Sequence, residues 1–188
     1  TTPSWEIVGP TTVPDRNATW GGRRGVGRVN CIAFDPNNNN TLYIGTPAGG
    51  IWKSTDGGQN WSSNTDFLNS LGISCIEVDP SNSNIIYTGT GDRDGSNTYT
   101  IGVLKSIDAG QTWQTTGLAN QWIINDIIIN PTNSQNIIVS SFNDTCRSTD
   151  GGANWSQANG LVTNMNEVVF KPGDANIVYA AGKTGGVF

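Results

Sequence analysis

The sequence predicts an all-β protein, a β-propeller of four-stranded antiparallel blades, and three observations predict it: one segment recurs, its spacing suits a blade, and each copy alternates short β-branched runs with Gly-, Asn- and Asp-rich turns. NCIAFDPNNNNTLYIGTPAGGIWKSTDGGQNW (30–61) aligns with SCIEVDPSNSNIIYTGTGDRDGSNTYTIGVLKSIDAGQTW (74–113) and with NDIIINPTNSQNIIVSSFNDTCRSTDGGANW (125–155). A fourth copy begins with NEVVFKPGDANIVYAAGKTGGVF (166–188). Pro36, Pro80, Pro131 and Pro172 stand 44, 51 and 41 residues apart, the period of a propeller blade at about 40–50 residues.

Each copy reads in the same order. A short apolar run (Cys31 to Phe34) ends at Asp-Pro or its equivalent, and an Asn/Ser tract turns the chain. A second run follows (Leu42 to Ile44; Ile85 to Tyr87; Ile137 to Val139), then a third (Ile51 to Lys53). STDGGQNW and its counterparts turn the chain into a fourth run. Gly and Asn supply the positive φ such turns need, and β-branched residues fill the strands. No segment carries a helical period; a sandwich or barrel of generic hairpins is the alternative. The expected blades are 30–65, 74–117, 124–159 and an incomplete 166–188. Trp5 in PSWEIVGP matches the fourth-strand Trp, so residues 4–9 are expected to be the outer strand closing the ring. Phe188 is the counterpart of Trp52, Leu104 and Cys146. About three and a half blades are therefore present, and the chain is expected to be a fragment that folds only with the rest of its own chain completing the propeller.

Composition excludes several function classes. Charged residues make up 13% of 188 residues, about half the usual share, while Asn reaches 23 copies. A net charge of −5 opposes nucleic-acid binding, which needs clustered Lys and Arg. The absence of His removes Ser-His-Asp and Cys-His nucleophiles and every His-containing zinc site. Three Cys without CxxC spacing make no disulfide framework. Cys31 and Cys75, at equal positions of adjacent blades, read as buried free thiols. No apolar run is long enough for a membrane-spanning helix, and no metal site or cofactor is expected.

The turn before the fourth strand repeats S-x-D-x-G-x-x-W three times: Ser54, Asp56, Gly58, Trp61; Ser106, Asp108, Gly110, Trp113; Ser148, Asp150, Gly152, Trp155. Asp and Ser side chains can accept backbone N–H bonds inside such a hairpin, Gly takes the strained φ, and Trp packs under the turn. With three complete boxes in register, the chain resembles the Asp-box (bacterial neuraminidase repeat) propellers, the group of sialidases, sortilin and xyloglucanases. The resemblance implies that the twelve box residues are scaffold on the blade periphery. Ligands are then expected on the opposite face, formed by the loops between second and third strands and those between blades.

On that face, the second-blade loop GDRDGSNTYT (91–100) carries a long insertion and the densest charge cluster in the chain. Asp92, Arg93, Asp94, Asn97 and Tyr99 are ligand-binding candidates there, joined by Trp122 and Asp144 from neighbouring loops. Long loops on a rigid scaffold are where binding tends to live. DRDGSN (92–97) also resembles a calcium loop, but Gly95 is fourth where an EF-hand has its Gly sixth. Solvated loop, ligand contact and calcium all remain open for it. Trp20, Trp122, Phe67 and Phe142 read first as cover for the inter-blade core and second as stacking surfaces for sugars, and Arg23, Arg24 and Arg28 as a solvated turn.

A sialidase resemblance would imply an arginine triad and a Tyr–Glu pair, and neither can be placed: Glu77 and Glu167 lie on first strands and Glu6 on the closing strand. The xyloglucanase-type pattern carries a catalytic Asp in a first-blade stretch near TDIGGAY; the counterpart here is Thr46-Pro47-Ala48-Gly49-Gly50-Ile51-Trp52, with Pro47 in place of that Asp. The resulting expectation is a non-catalytic module of a secreted or cell-surface protein that binds a protein or glycan through its loop face. Its Asn/Thr/Gly-rich style is similar to large bacterial exported proteins. One alternative is part of a glycoside hydrolase whose second carboxylate lies elsewhere, and another is a sortilin-like peptide binder.

Overall fold

The computed structural model describes residues 27–95, 99–118, 123–158 and 165–182. Blade 1 is β1 (Cys31–Asp35), β2 (Asn38–Gly45), β3 (Ile51–Ser54) and β4 (Ser62–Ser63); blade 2 is β5 (Ile73–Val78), β6 (Ile86–Thr90), β7 (Val103–Ser106) and β8 (Gln114–Thr115). Blade 3 is β9 (Ile124–Ile129), β10 (Ile137–Ser141), β11 (Thr145–Ser148) and β12 (Ser156–Gln157). In blade 4 the described strands are β13 (Met165–Lys171) and β14 (Asp174–Gly182). Each four-stranded sheet pairs its strands in chain order, all antiparallel, and no helix occurs among the described residues. The molecule is a partial β-propeller. The expected closing strand at 4–9, Trp5, Trp20, Arg23, Arg24 and Phe188 lie outside the described residues.

The core is packed between blades. Tyr43, Ile73, Ile76, Ile86 and Leu104 join blade 1 to blade 2, and Tyr87, Val103, Ile124, Ile137 and Val139 join blade 2 to blade 3. Gly45 and Gly89 permit this approach. A Cβ on Gly89 would lie 2.5 Å from both the Cys75 sulfur and an Ile124 methyl. On blade 1, by contrast, Val29, Ile32 and Phe34 are 50, 54 and 59% exposed, whereas their register counterparts Ile73, Ile76 and Val78 are buried. The described residues leave this apolar face uncovered.

Three polar fasteners recur from blade to blade. Near the axis, the Asn30 amide donates to the Ile73 carbonyl at 2.9 Å, Ser74 to Ile124, and Asn125 to Met165 at 2.8 Å. At the first hairpin, Asp35 accepts from Ser83 and Asp79 from Ser134 of the next blade. Further out, a Tyr hydroxyl and a Lys ammonium of one blade clasp a turn carbonyl of the next. Tyr43 and Lys53 donate to Ala109 O at 3.4 and 3.0 Å; Tyr87 and Lys105 both donate to Gly151 O at 2.8 Å. Each ammonium also sits over its tyrosine ring, 5.3 and 5.2 Å from the centroid, a cation–π arrangement.

The clasped carbonyls belong to the S-x-D-x-G-x-x-W turns, which have the expected internal bonding. Ser54, Ser106 and Ser148 each donate to their Asp at 2.8 Å and accept the N–H of Gly58, Gly110 and Gly152. Asp56 and Asp150 accept the backbone N–H and then the side-chain amide of Asn60 and Asn154, and Asp108 the hydroxyl and then the N–H of Thr112, which holds each carboxyl down at about 2. The indoles of Trp61 and Trp155 donate to Gly58 O and Gly152 O, whereas the buried Trp113 indole N–H has no partner among the described residues.

The residue after the turn Asp, fourth in the motif, has positive φ in all three copies: Gly57 at 73°, Ala109 at 58° and Gly151 at 69°. A Cβ in that region costs about 1 kcal/mol, partly offset by the greater unfolded-state freedom of glycine. Ala109→Gly is therefore expected to stabilise the protein by about 0.5 kcal/mol, measured as a higher denaturation midpoint.

Candidate functional site

The site sits where the first strands meet at the propeller axis. In each blade the first strand lies innermost, so the residue five before the recurring proline projects near the axis: Cys31, Cys75, Asp126 and Glu167. These four line a cavity of about 620 Å³. Asn30, Ser74 and Asn166 add hydrogen-bonding groups to its wall, and Glu77 adds a further carboxylate.

The second-blade insertion reaches this cavity through Arg93 and Asp94. Asp92 fixes that loop. Its side chain is buried, is ion-paired to Arg28, accepts the Asn30 amide at 3.4 Å and caps the Asp94 N–H at 3.2 Å. Gly95 is required by the same turn, because a Cβ there would lie 2.4 Å from Asp92 Oδ2. Arg93 then extends across to blade 3, its Nη1 3.3 Å from the Asn125 carbonyl. The structure thus brings Arg93 and Asp94 to the cavity and uses Asp92 to hold them there.

The other sequence candidates lie elsewhere. Tyr99 is 71% exposed and does not line the cavity; its carbonyl accepts the Ser70 hydroxyl at 2.7 Å. Asp144 closes its own hairpin, accepting the Gln157 amide at 2.7 Å while its N–H donates to Ser141. Asn97 and Trp122 fall outside the described residues, as does part of the calcium-like stretch 92–97. Among the described residues no group of three or more Cys, Asp or Glu is placed to hold a metal ion.

Burial governs the chemistry of the cavity. It pushes the Cys31 thiol up to about 12 and Cys75 well above its usual range, so neither is a nucleophilic thiolate at neutral pH. Burial, then the neighbouring Asp126, raises Glu77 to about 7. Burial raises Asp126 to about 6 against the opposing N–H bonds from Val168 and Ile127. All three cysteines are free thiols.

The sequence reading did not select Arg28, Asp126 or the axial role of Glu77 and Glu167. Counting five residues back from each proline places Asp126 and Glu167 in register with Cys31 and Cys75. No comparable signal pairs Arg28 with Asp92, 64 residues away.

No family model matches the chain. Over 64 residues it is 41% identical to a xyloglucanase of Hypocrea jecorina, covering 28% of this chain and 8% of that protein. Over 39 residues it is 51% identical to xyloglucanase Xgh74A of Acetivibrio thermocellus, covering 20% and 5%. The matches thus span less than a tenth of these curated relatives. Among solved structures, an ancestral GH74 enzyme superposes with a TM-score of 0.70 at 25% identity, over 82% of this chain and 22% of its own. The GH74 xyloglucanase of Xanthomonas campestris gives 0.64 at 20% identity, over 86% and 28%. YCF48 bound to D1 peptide gives 0.58 at 15%, over 84% and 47%. The last two share the propeller fold with this chain. No helix among the described residues is long and apolar enough to cross a membrane.

Proposed function

We propose that the chain is part of an extracellular propeller of the Asp-box type that binds a xyloglucan-like polysaccharide at the axial cavity without hydrolysing it. The observation that carries this reading is the mixed polar wall. Arg93 and Asp94 from the inserted loop stand beside Asn30, Ser74 and Asn166 at one opening. Neutral donors and acceptors next to a few charges are the groups that recognise sugar hydroxyls. The short matches to xyloglucanases name the polysaccharide class. Pro47, at the position where the resemblance places a catalytic Asp, can neither donate nor accept a proton, which supports binding over hydrolysis.

Titration calorimetry of the full protein with xyloglucan oligosaccharides tests this. Binding is expected, with Arg93→Ala weakening it about tenfold, or about 1.4 kcal/mol, and no release of reducing ends. Failure to bind any of the oligosaccharides would sink the reading. A second reading, hydrolysis, is favoured by Glu77 and Asp126, whose carboxyls at about 7 and about 6 suit a proton donor at working pH. Reducing ends released by the native protein and abolished in Glu77→Gln would establish it instead.

A further inference from the structure

Four carboxylates from four separate segments converge on the axial cavity: Glu77 of β5, Asp94 of the loop after β6, Asp126 of β9 and Glu167 of β13. One cation, Arg93, faces them, and among the described residues no ion pair joins it to any of the four. Glu77 accepts no hydrogen bond among those residues. The other titratable groups facing the pair are the Cys31 and Cys75 thiols, both kept neutral by burial. Like charges that share a partly dehydrated space cannot all ionise where each would alone.

We propose that Glu77 and Asp126 form a proton-operated catch between the first strands of blades 2, 3 and 4. When both are neutral, the strands close around the axis. When both ionise, they repel one another as well as Asp94 and Glu167, and the mouth of the cavity loosens.

The direction of the pH dependence follows from the protons bound. In the unfolded chain these carboxyls ionise near pH 4, but in the folded protein near 6 and 7. The folded state therefore holds extra protons between those limits. Stability contributed by the catch is complete below about pH 4 and falls as pH rises towards 7. The turn aspartates act in the opposite sense: their contribution is complete above about pH 4 and is lost as pH falls towards 2.

The repeats supply conservative variants. Ala33, Ile128 and Val169 occupy the Glu77 position in the other blades, and Cys31 and Cys75 occupy the Asp126 position. Amide hydrogen exchange of the full protein, corrected for intrinsic rates, is followed in peptides 73–78 and 124–129 from pH 5 to pH 8. Protection is expected to fall at least about tenfold in the native protein and to change less than about threefold in Glu77→Gln/Asp126→Asn. Glu77→Ile/Asp126→Cys provides the same comparison should the amide variant misfold. Protection that does not change with pH in the native protein, or that changes equally in the variants, would overturn the proposal. No ligand enters the measurement, so its outcome is independent of the polysaccharide reading.

Discussion

Replacing Tyr87 with Ala is expected to destabilise the protein by about 4 kcal/mol, the usual cost of emptying a large buried aromatic site. The ring is 1% exposed in the core between blades 2 and 3, and its hydroxyl donates to Gly151 O. Tyr87→Phe separates the two contributions. Gly151 O keeps its bond from Lys105, so the phenylalanine variant is expected to lose only about 1 kcal/mol. Blade 3 has Ile138 at this register position, which makes Tyr87→Ile an intermediate case that preserves much of the packing. Denaturant titration of the full protein measures all three. A Phe variant as unstable as the Ala variant would show that the hydroxyl, and not the ring, holds the two blades together.

Asp79→Ala is expected to cost about 3 kcal/mol, because it removes a buried charged acceptor and strands its donors. Asp79 is 1% exposed, and a single oxygen, Oδ1, accepts the Ser81 N–H at 2.8 Å and the hydroxyls of Ser81 and Ser134 at 2.7 Å each. Asn130 occupies the same place in blade 3, where its amide oxygen accepts the Thr132 N–H at 2.9 Å and hydroxyl at 2.8 Å. Asp79→Asn is therefore expected to cost less than about 1 kcal/mol. Thermal denaturation compares the two, and equal losses would contradict this account of the hairpin.

What the sequence disclosed follows from the range of the interactions. The S-x-D-x-G-x-x-W turns were readable because serine, aspartate and glycine bond within five residues of one another. Gly57, Ala109 and Gly151 could be aligned for the same reason. The Tyr–Lys clasps were less visible: their donors and acceptors lie 46 to 66 residues apart. Arg93 and Asp94 were selected for their loop, but the role of Asp92 depends on Arg28, whose side chain read as one more solvated arginine. Glu77 was placed only on its first strand, ISCIEV, since nothing in an alternating strand tells a solvent face from the wall of an axial cavity. Its neighbour Asp126 comes from the next blade, and only the curvature of the propeller brings the two into one space.

The Tyr–Lys clasp has a consequence for how such a chain grows. Blades 1 and 2 each carry a plug and blades 2 and 3 the matching socket, so duplicating blade 2, which carries both, yields a unit that fits its parent without new chemistry. Chain length can then change in steps of one blade, with the final number decided by the angle at which the ring shuts. The junction after the third repeat is the exception. Ile138 and Arg147 stand where the plug's tyrosine and lysine would be, so a spare copy inserted there would lack the clasp and keep only the apolar contact and the bonds that Asn125 and Asp126 make to the next blade. Duplication is therefore favoured at the first two junctions over the third.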